Sequence, residues 1–135
     1  MTYYSFDLSY YPNKDTTDTD IGKITNKYPS CEWYASDMGP FGKNSSAPLQ
    51  RNNGFNIKDY NEFKNLINEV NKTPGIFFDF VTKYINKNDD DPIDIYCSPG
   101  RYQEIMKKYR EEYDNTIKNL EGTDLEIYNL IMSKK

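Results

Sequence analysis

Residues 2–10 alternate: Tyr4, Phe6, Leu8 and Tyr10 fall on one face, and Tyr3, Ser5, Asp7 and Ser9 on the other. A period of two with aromatic enrichment is a strand, half buried, so the rest of the chain must supply a cover for one face. Pro12-Asn13 ends it, and a polar loop runs to residue 20. Ile21, Ile24 and Tyr28 then recur at helical spacing, which allows a short helix at 20–28. Residues 31–36, Cys-Glu-Trp-Tyr-Ala-Ser, read as a second short strand.

Further along, apolar stripes at helical spacing provide the cover. Ile57, Tyr60, Phe63, Ile67 and Val70 mark a helix over 57–71, with Asn56 as its cap and Asp59 in the favourable first turn. Thr73-Pro74 offers a new cap and a first-turn proline, so 74–87 reads as a second helix. A competing reading makes 76–85 a strand that forms a hairpin with the next one. Ile93, Ile95 and Cys97 alternate with Asp94, Tyr96 and Ser98, giving a strand at 92–98. Ser98-Pro99 opens a long helix over 99–120, with Tyr102, Ile105, Met106, Tyr109, Tyr113, Ile117 and Leu120 as its stripe. Thr123 and Glu126 have the spacing of a capping box and open a last helix at 123–133.

The expected fold is therefore α+β: about three strands (2–10, 31–36, 92–98) packed by about four helices. No repeat and no linker-like composition shift divides it, and 135 residues suit one domain. Residues 37–55 are the least regular stretch and hold five Gly or Pro, so they read as a long loop of the kind that carries binding.

Composition narrows the function. Histidine is absent, which removes Ser-His-Asp and Cys-His catalysis, histidine-ligated metals and histidine pH switches. The acidic clusters, Asp15, Asp18 and Asp20 or Asp89, Asp90, Asp91 and Asp94, do not follow the spacing of a calcium loop. No catalytic residue, metal site or cofactor is expected. With 17 basic against 21 acidic residues and a formal charge of -4, clustered phosphate-binding charge is missing, which weighs against duplex nucleic acid. No apolar run approaches the ~20 residues of a membrane span, and Met1–Leu8 lacks a secretory leader pattern. A cytoplasmic protein with reduced Cys31 and Cys97 is the expectation. Asn, Lys, Ile and Tyr are abundant while alanine occurs twice, a bias of AT-rich genomes that fits a virus or other mobile element.

Two features compete for the functional role. The first is the strand-to-helix turn Cys97-Ser98-Pro99-Gly100-Arg101, where Cys97, Ser98, Gly100 and Arg101 could hold a phosphorylated or nucleotide ligand against helix N–H groups. Its spacing departs from a phosphatase loop, because Cys and Arg stand four apart instead of six. An ordinary helix cap explains the same residues. Gly39-Pro40-Phe41-Gly42-Lys43 is likewise no phosphate loop, with two residues between its glycines and Asn44 after the lysine. The second feature is the aromatic excess: 13 tyrosines in 135 residues exceed what a core of this size absorbs, and tyrosine is a preferred interface residue. The leading expectation is a non-enzymatic interaction module, accessory or inhibitory, whose partner is another protein or itself. Phe41, Lys43, Arg51, Tyr3 and Tyr11 are its candidate contacts. The alternatives are the ligand-holding turn and a homo-oligomeric structural or virion component.

Overall fold

The computed structural model describes residues 2–12, 15–39, 49–85 and 92–134. The N-terminal alternation forms β1 (Tyr3–Tyr10), whose Tyr4, Phe6, Leu8 and Tyr10 are all buried. The other elements, in chain order, are α1 (Asp18–Thr25), β2 (Cys31–Gly39), β3 (Gln50–Ile57), α2 (Tyr60–Lys72), β4 (Phe77–Tyr84), β5 (Ile93–Cys97), α3 (Pro99–Glu104), α4 (Lys107–Lys118) and α5 (Gly122–Met132). The five strands form one antiparallel sheet in the order β2-β3-β1-β4-β5. The α+β class agrees with the sequence; the described residues hold five strands and five helices, against about three and about four expected.

Four expectations are corrected, each for a physical reason. Residues 74–87 are not a helix. Gly75 adopts φ 87, a left-handed value that breaks any helix begun at Pro74, and the chain enters β4, which forms the hairpin pair with β5. β4 also carries a bulge: Asp7 pairs with Phe80 and Leu8 with Phe78, so Asp79 is an inserted residue. The insertion puts Phe78 and Val81 on the same buried face three residues apart, which breaks the alternation a strand would otherwise show. Within the supposed loop 37–55, residues 37–39 complete β2 and Gln50 begins β3. β3 escaped notice because its buried Asn52 and Asn53 look like loop residues, yet they bond to Ser9 and Gln50, and to Ser36 and Asp18.

The helix expected at 57–71 starts later, since Ile57 completes β3 and the Asp59 side chain accepts from the Glu62 N–H to cap α2. The helix expected at 99–120 is two helices. Ile105 and Met106 both take extended dihedrals, which ends α3 and turns α4 back toward β5, where the Tyr113 hydroxyl accepts from the Cys97 N–H. The last helix is close to its expected bounds, although it begins at Gly122 with φ 59 and its cap residue is Glu121.

One face of the sheet carries the core. Phe63, Leu66, Ile67 and Val70 of α2 meet Tyr4, Phe6 and Leu8 of β1, Phe55 and Ile57 of β3, Phe78 and Val81 of β4, and Ile95 of β5. Ile21 and Ile24 of α1 and Ile127 and Ile131 of α5 close the two ends. Around Phe63 the rings of Tyr4, Phe6 and Phe78 lie at centroid distances of 4.9, 5.0 and 6.3 Å, offset or edge-on. The helix-covered face thus satisfies the hydrophobic requirement set by β1. The opposite face is left to polar and aromatic side chains.

Candidate functional site

Strand register fixes what that second face displays. One row across the sheet runs Gly54, Asp7, Phe80 and Cys97, from β3 through β1 and β4 to β5. The row on one side is Asp37, Asn52, Ser9 and Phe77; the row on the other is Glu32, Asn56, Ser5, Thr82 and Asp94. Beyond the latter row, Tyr3 stacks on Tyr84 at 5.0 Å, and beyond the former Tyr11 packs on Phe77 at 5.4 Å. The N-terminal tyrosines Tyr3 and Tyr11 are therefore tied to β4 at the two ends of this face.

Arg101 divides the face into two hollows. Its guanidinium carbon stands 5.0 Å from the Phe80 ring centroid, and its Nε lies 3.3 Å from Oδ2 of Asp79, a side chain only 1% exposed. Ser98 completes the latch: its hydroxyl donates to Asp79 Oδ1, its N–H donates to the Asp79 carbonyl, and its Oγ accepts from the Arg101 N–H. On the β5 side, Arg101, Phe80, Asp94, Cys97 and Tyr109 and Tyr113 of α4 line a cavity of about 410 Å³. On the β2 side, a cavity of about 210 Å³ is lined by Asp7, Tyr34, Asp37, Asn52, Gly54 and Arg101, among others.

The turn singled out in the sequence does sit beside a cavity, but with different chemistry. Ser98 and Arg101 are committed to Asp79, Gly100 has open space around it, and α3 is six residues long. Burial, followed by the Asp79 carboxylate, pushes the Cys97 thiol up to about 12, opposite to an activated thiolate. Cys31 is raised to about 12 as well, again chiefly by burial, and both cysteines are free thiols. Of the partner-contact candidates, Arg51 reaches across the helix-covered face to Asp18 of α1 at 3.5 Å, and Phe41 and Lys43 lie outside the described residues.

Sequence reasoning missed Asp7, Asn52 and Tyr34. Tyr34 is the extra residue of a β2 bulge, because Trp33 pairs with Phe55 and Ala35 with Gly54. Its ring lies on Gly54, where any Cβ would come within 2.7 Å of Tyr34 Cζ, and its hydroxyl meets Ser5 at 3.4 Å. A side chain at 54 would push the Tyr34 ring off this seat. The signal available in the sequence was the alternation that put Asp7 on the same face as Ser5 and Ser9.

Burial, then the nearby Asp79 carboxylate, raises the Asp7 carboxyl to about 6 against the opposing effect of Arg101, with Asp37 adding to the rise. A carboxyl raised in the folded state takes up its proton on folding, so it costs nothing below about pH 4 and destabilises increasingly as pH climbs through 6. Asp7→Asn is therefore expected to match the parent at pH 4 and to exceed it by about 2 kcal/mol at pH 7.5. Urea unfolding of both proteins across that range checks this. The difference between the two isolates Asp7 from carboxyls that shift the other way, such as Glu126, lowered chiefly by its hydrogen bond from Lys64.

Among the described residues no group of three or more His, Cys, Asp or Glu side chains is placed to hold a metal ion, and no helix is long and apolar enough to cross a membrane. No protein-family model, curated protein or solved structure matches the chain.

Proposed function

We propose that the chain is a protein-interaction module that docks an extended segment of a basic partner protein along β2. The observation that carries this reading is β2 itself. Among the described residues it is a nine-residue strand at the edge of the sheet, and Trp33, Tyr34 and Met38 on it are 62, 47 and 43% exposed. An edge strand offers unpaired backbone groups for strand addition, and exposed Trp and Tyr are the side chains that dominate interface energetics. Trp33 and Met38 project on the helix side of the sheet, in register with Phe55 and Arg51, while Tyr34 and Asp37 serve the second face. A strand laid on this edge would therefore be gripped from both faces. Glu32 and Asp37 make the edge acidic, which selects a basic partner.

The competing reading, an anionic ligand at Arg101, has weaker support. The arginine is already paired with Asp79, and Asp94 and Glu112 share the larger cavity. An incoming phosphate would meet carboxylates on each side.

The test is affinity capture with the intact chain and a Trp33→Lys/Met38→Lys variant, alongside light scattering of both. A stoichiometric partner held by the parent and weakened at least about 30-fold by the variant, with thermal unfolding unchanged, supports the edge-docking reading. A dimer of the parent that the substitutions dissolve would make the partner a second copy. A partner retained at full strength by the variant would overturn the reading, as would a parent that stays monomeric and captures nothing.

A further inference from the structure

The smaller cavity adjoins β2, and its construction specifies a ligand. Its floor is β3, with Gly54 under the Tyr34 ring and Asn52 beside it. β1 and β2 flank β3, about 10 Å apart, so Asp7 and Asp37 border the floor from opposite sides. Asn52 is 3% exposed; its Oδ1 accepts from Ser9 and Gln50, while its Nδ2 has no hydrogen-bond partner among the described residues. A buried donor without an acceptor costs about 1–3 kcal/mol, so the site is incomplete as it stands. Its charge is unbalanced too: among the described residues, Asp7, Asp37 and Asp79 face a single cation, Arg101.

We propose that this cavity receives the guanidinium of an arginine carried by the strand that docks on β2, an inference that rests on the interaction reading above. A guanidinium is planar and carries N–H donors on opposite edges, which suits carboxylates on opposite sides better than the compact ammonium of lysine does. The Tyr34 ring provides a face on which it stacks. Binding is linked to ionisation of Asp7. The charged groups that face it are Asp79 of β4, Arg101 of α3 and Asp37 of β2, and β3 contributes only Asn52 and Gly54 to the cavity.

The test titrates the whole chain, by amide NMR, with a blocked pentapeptide Thr-Val-Arg-Val-Thr, its citrulline analogue and N-acetylargininamide. The arginine peptide is expected to shift resonances of Asp7, Asp37, Asn52 and Gly54, to bind about tenfold more weakly at pH 5 than at pH 7.5, and to lose that pH dependence in Asp7→Asn. The citrulline peptide, isosteric but neutral, is expected to bind at least tenfold more weakly than the arginine peptide at pH 7.5. Equal binding of the citrulline peptide, shifts confined to other residues, or unchanged affinity in Asp7→Asn would each overturn the proposal. N-acetylargininamide binding as tightly as the peptide would assign the cavity to a free small cation and overturn its link to a docked strand. These readouts need no natural partner. Failure here with partner loss in the Trp33→Lys/Met38→Lys variant removes the arginine pocket alone, and the converse pattern removes the edge-docking reading.

Discussion

Phe63→Ala is expected to lower the unfolding free energy by about 4 kcal/mol, the largest loss of any single truncation considered in this fold. Phe63 is fully buried on α2, and the rings of Tyr4, Phe6 and Phe78 surround it. Removing it deletes the transfer energy of a benzyl group and leaves a cavity walled by rings from β1 and β4. Those walls are held by the sheet ladder on either side of β1, so they collapse poorly into the space. A domain of this size has ~5–15 kcal/mol in total, so the variant would lie near the limit of cooperative folding. Phe63→Leu, which keeps most of the volume, is expected to lose about 1–2 kcal/mol. Urea denaturation of the parent and both variants gives the comparison. If Phe63→Ala costs no more than Phe63→Leu, the ring cluster is not a tightly packed nucleus.

What the sequence revealed and what it hid follow from which residues each strand uses. β1 was legible because its apolar positions face the core and Ser5, Asp7 and Ser9 take the other face, in regular alternation; β5 was legible as a strand, but a register shift sets Cys97 with Asp94 on the second face instead of with Ile93. α2 was legible for the equivalent reason at helical spacing. β3 was hidden because its inward Asn53 bonds to Ser36 and Asp18 and the Oδ1 of its outward Asn52 to Ser9, partners that lie 17, 35 and 43 residues away in sequence. Long-range polar pairing leaves no local pattern. β4 was hidden by its bulge, since one inserted residue breaks the period of two between Phe78 and Val81. The pairing needed to detect the insertion belongs to β1. The break at Ile105 and Met106 was hidden by an apolar stripe that runs through it, although Met106 and Tyr109 on that stripe are 63 and 54% exposed.

The same reasoning explains the uneven legibility of the site. Cys97 to Arg101 attracted notice because strand, cap, proline and arginine are contiguous in sequence. Asp7, Asn52, Tyr34 and Arg101 come from four different elements, and only the order β2-β3-β1 brings the first three together. The absence of histidine retains its force for catalysis based on that side chain. The raised Asp7 carboxyl is a titratable group near neutral pH that composition alone did not reveal.

Arg101→Met is expected to cost about 3 kcal/mol, and Asp79→Asn in that background is expected to restore roughly half of it. Asp79 occupies the bulge of β4 at 1% exposure, and its Oδ2 has the Arg101 Nε at 3.3 Å, while Oδ1 accepts from Ser98. Methionine preserves much of the side-chain volume over Phe80 but removes the cation, leaving an ionised carboxylate out of water with only the Ser98 hydroxyl as a donor. Breaking a buried pair from one side is costly chiefly because an uncompensated charge stays behind in the interior. An asparagine at 79 carries no net charge, keeps an acceptor for Ser98 and has no requirement for the guanidinium, so the second substitution relieves the first. Because Ser98 and Arg101 attach β5 and α3 to the β4 bulge, the single variant should also loosen the turn at 98–101. Urea unfolding of the parent, both single variants and the double variant closes the cycle, with a coupling energy of at least about 1.5 kcal/mol expected. Amide exchange at Ser98 and Arg101 provides an independent readout. Strict additivity of the two substitutions would show that Arg101 stabilises the fold through Phe80 alone, and the latch between β4 and α3 would then rest on Ser98.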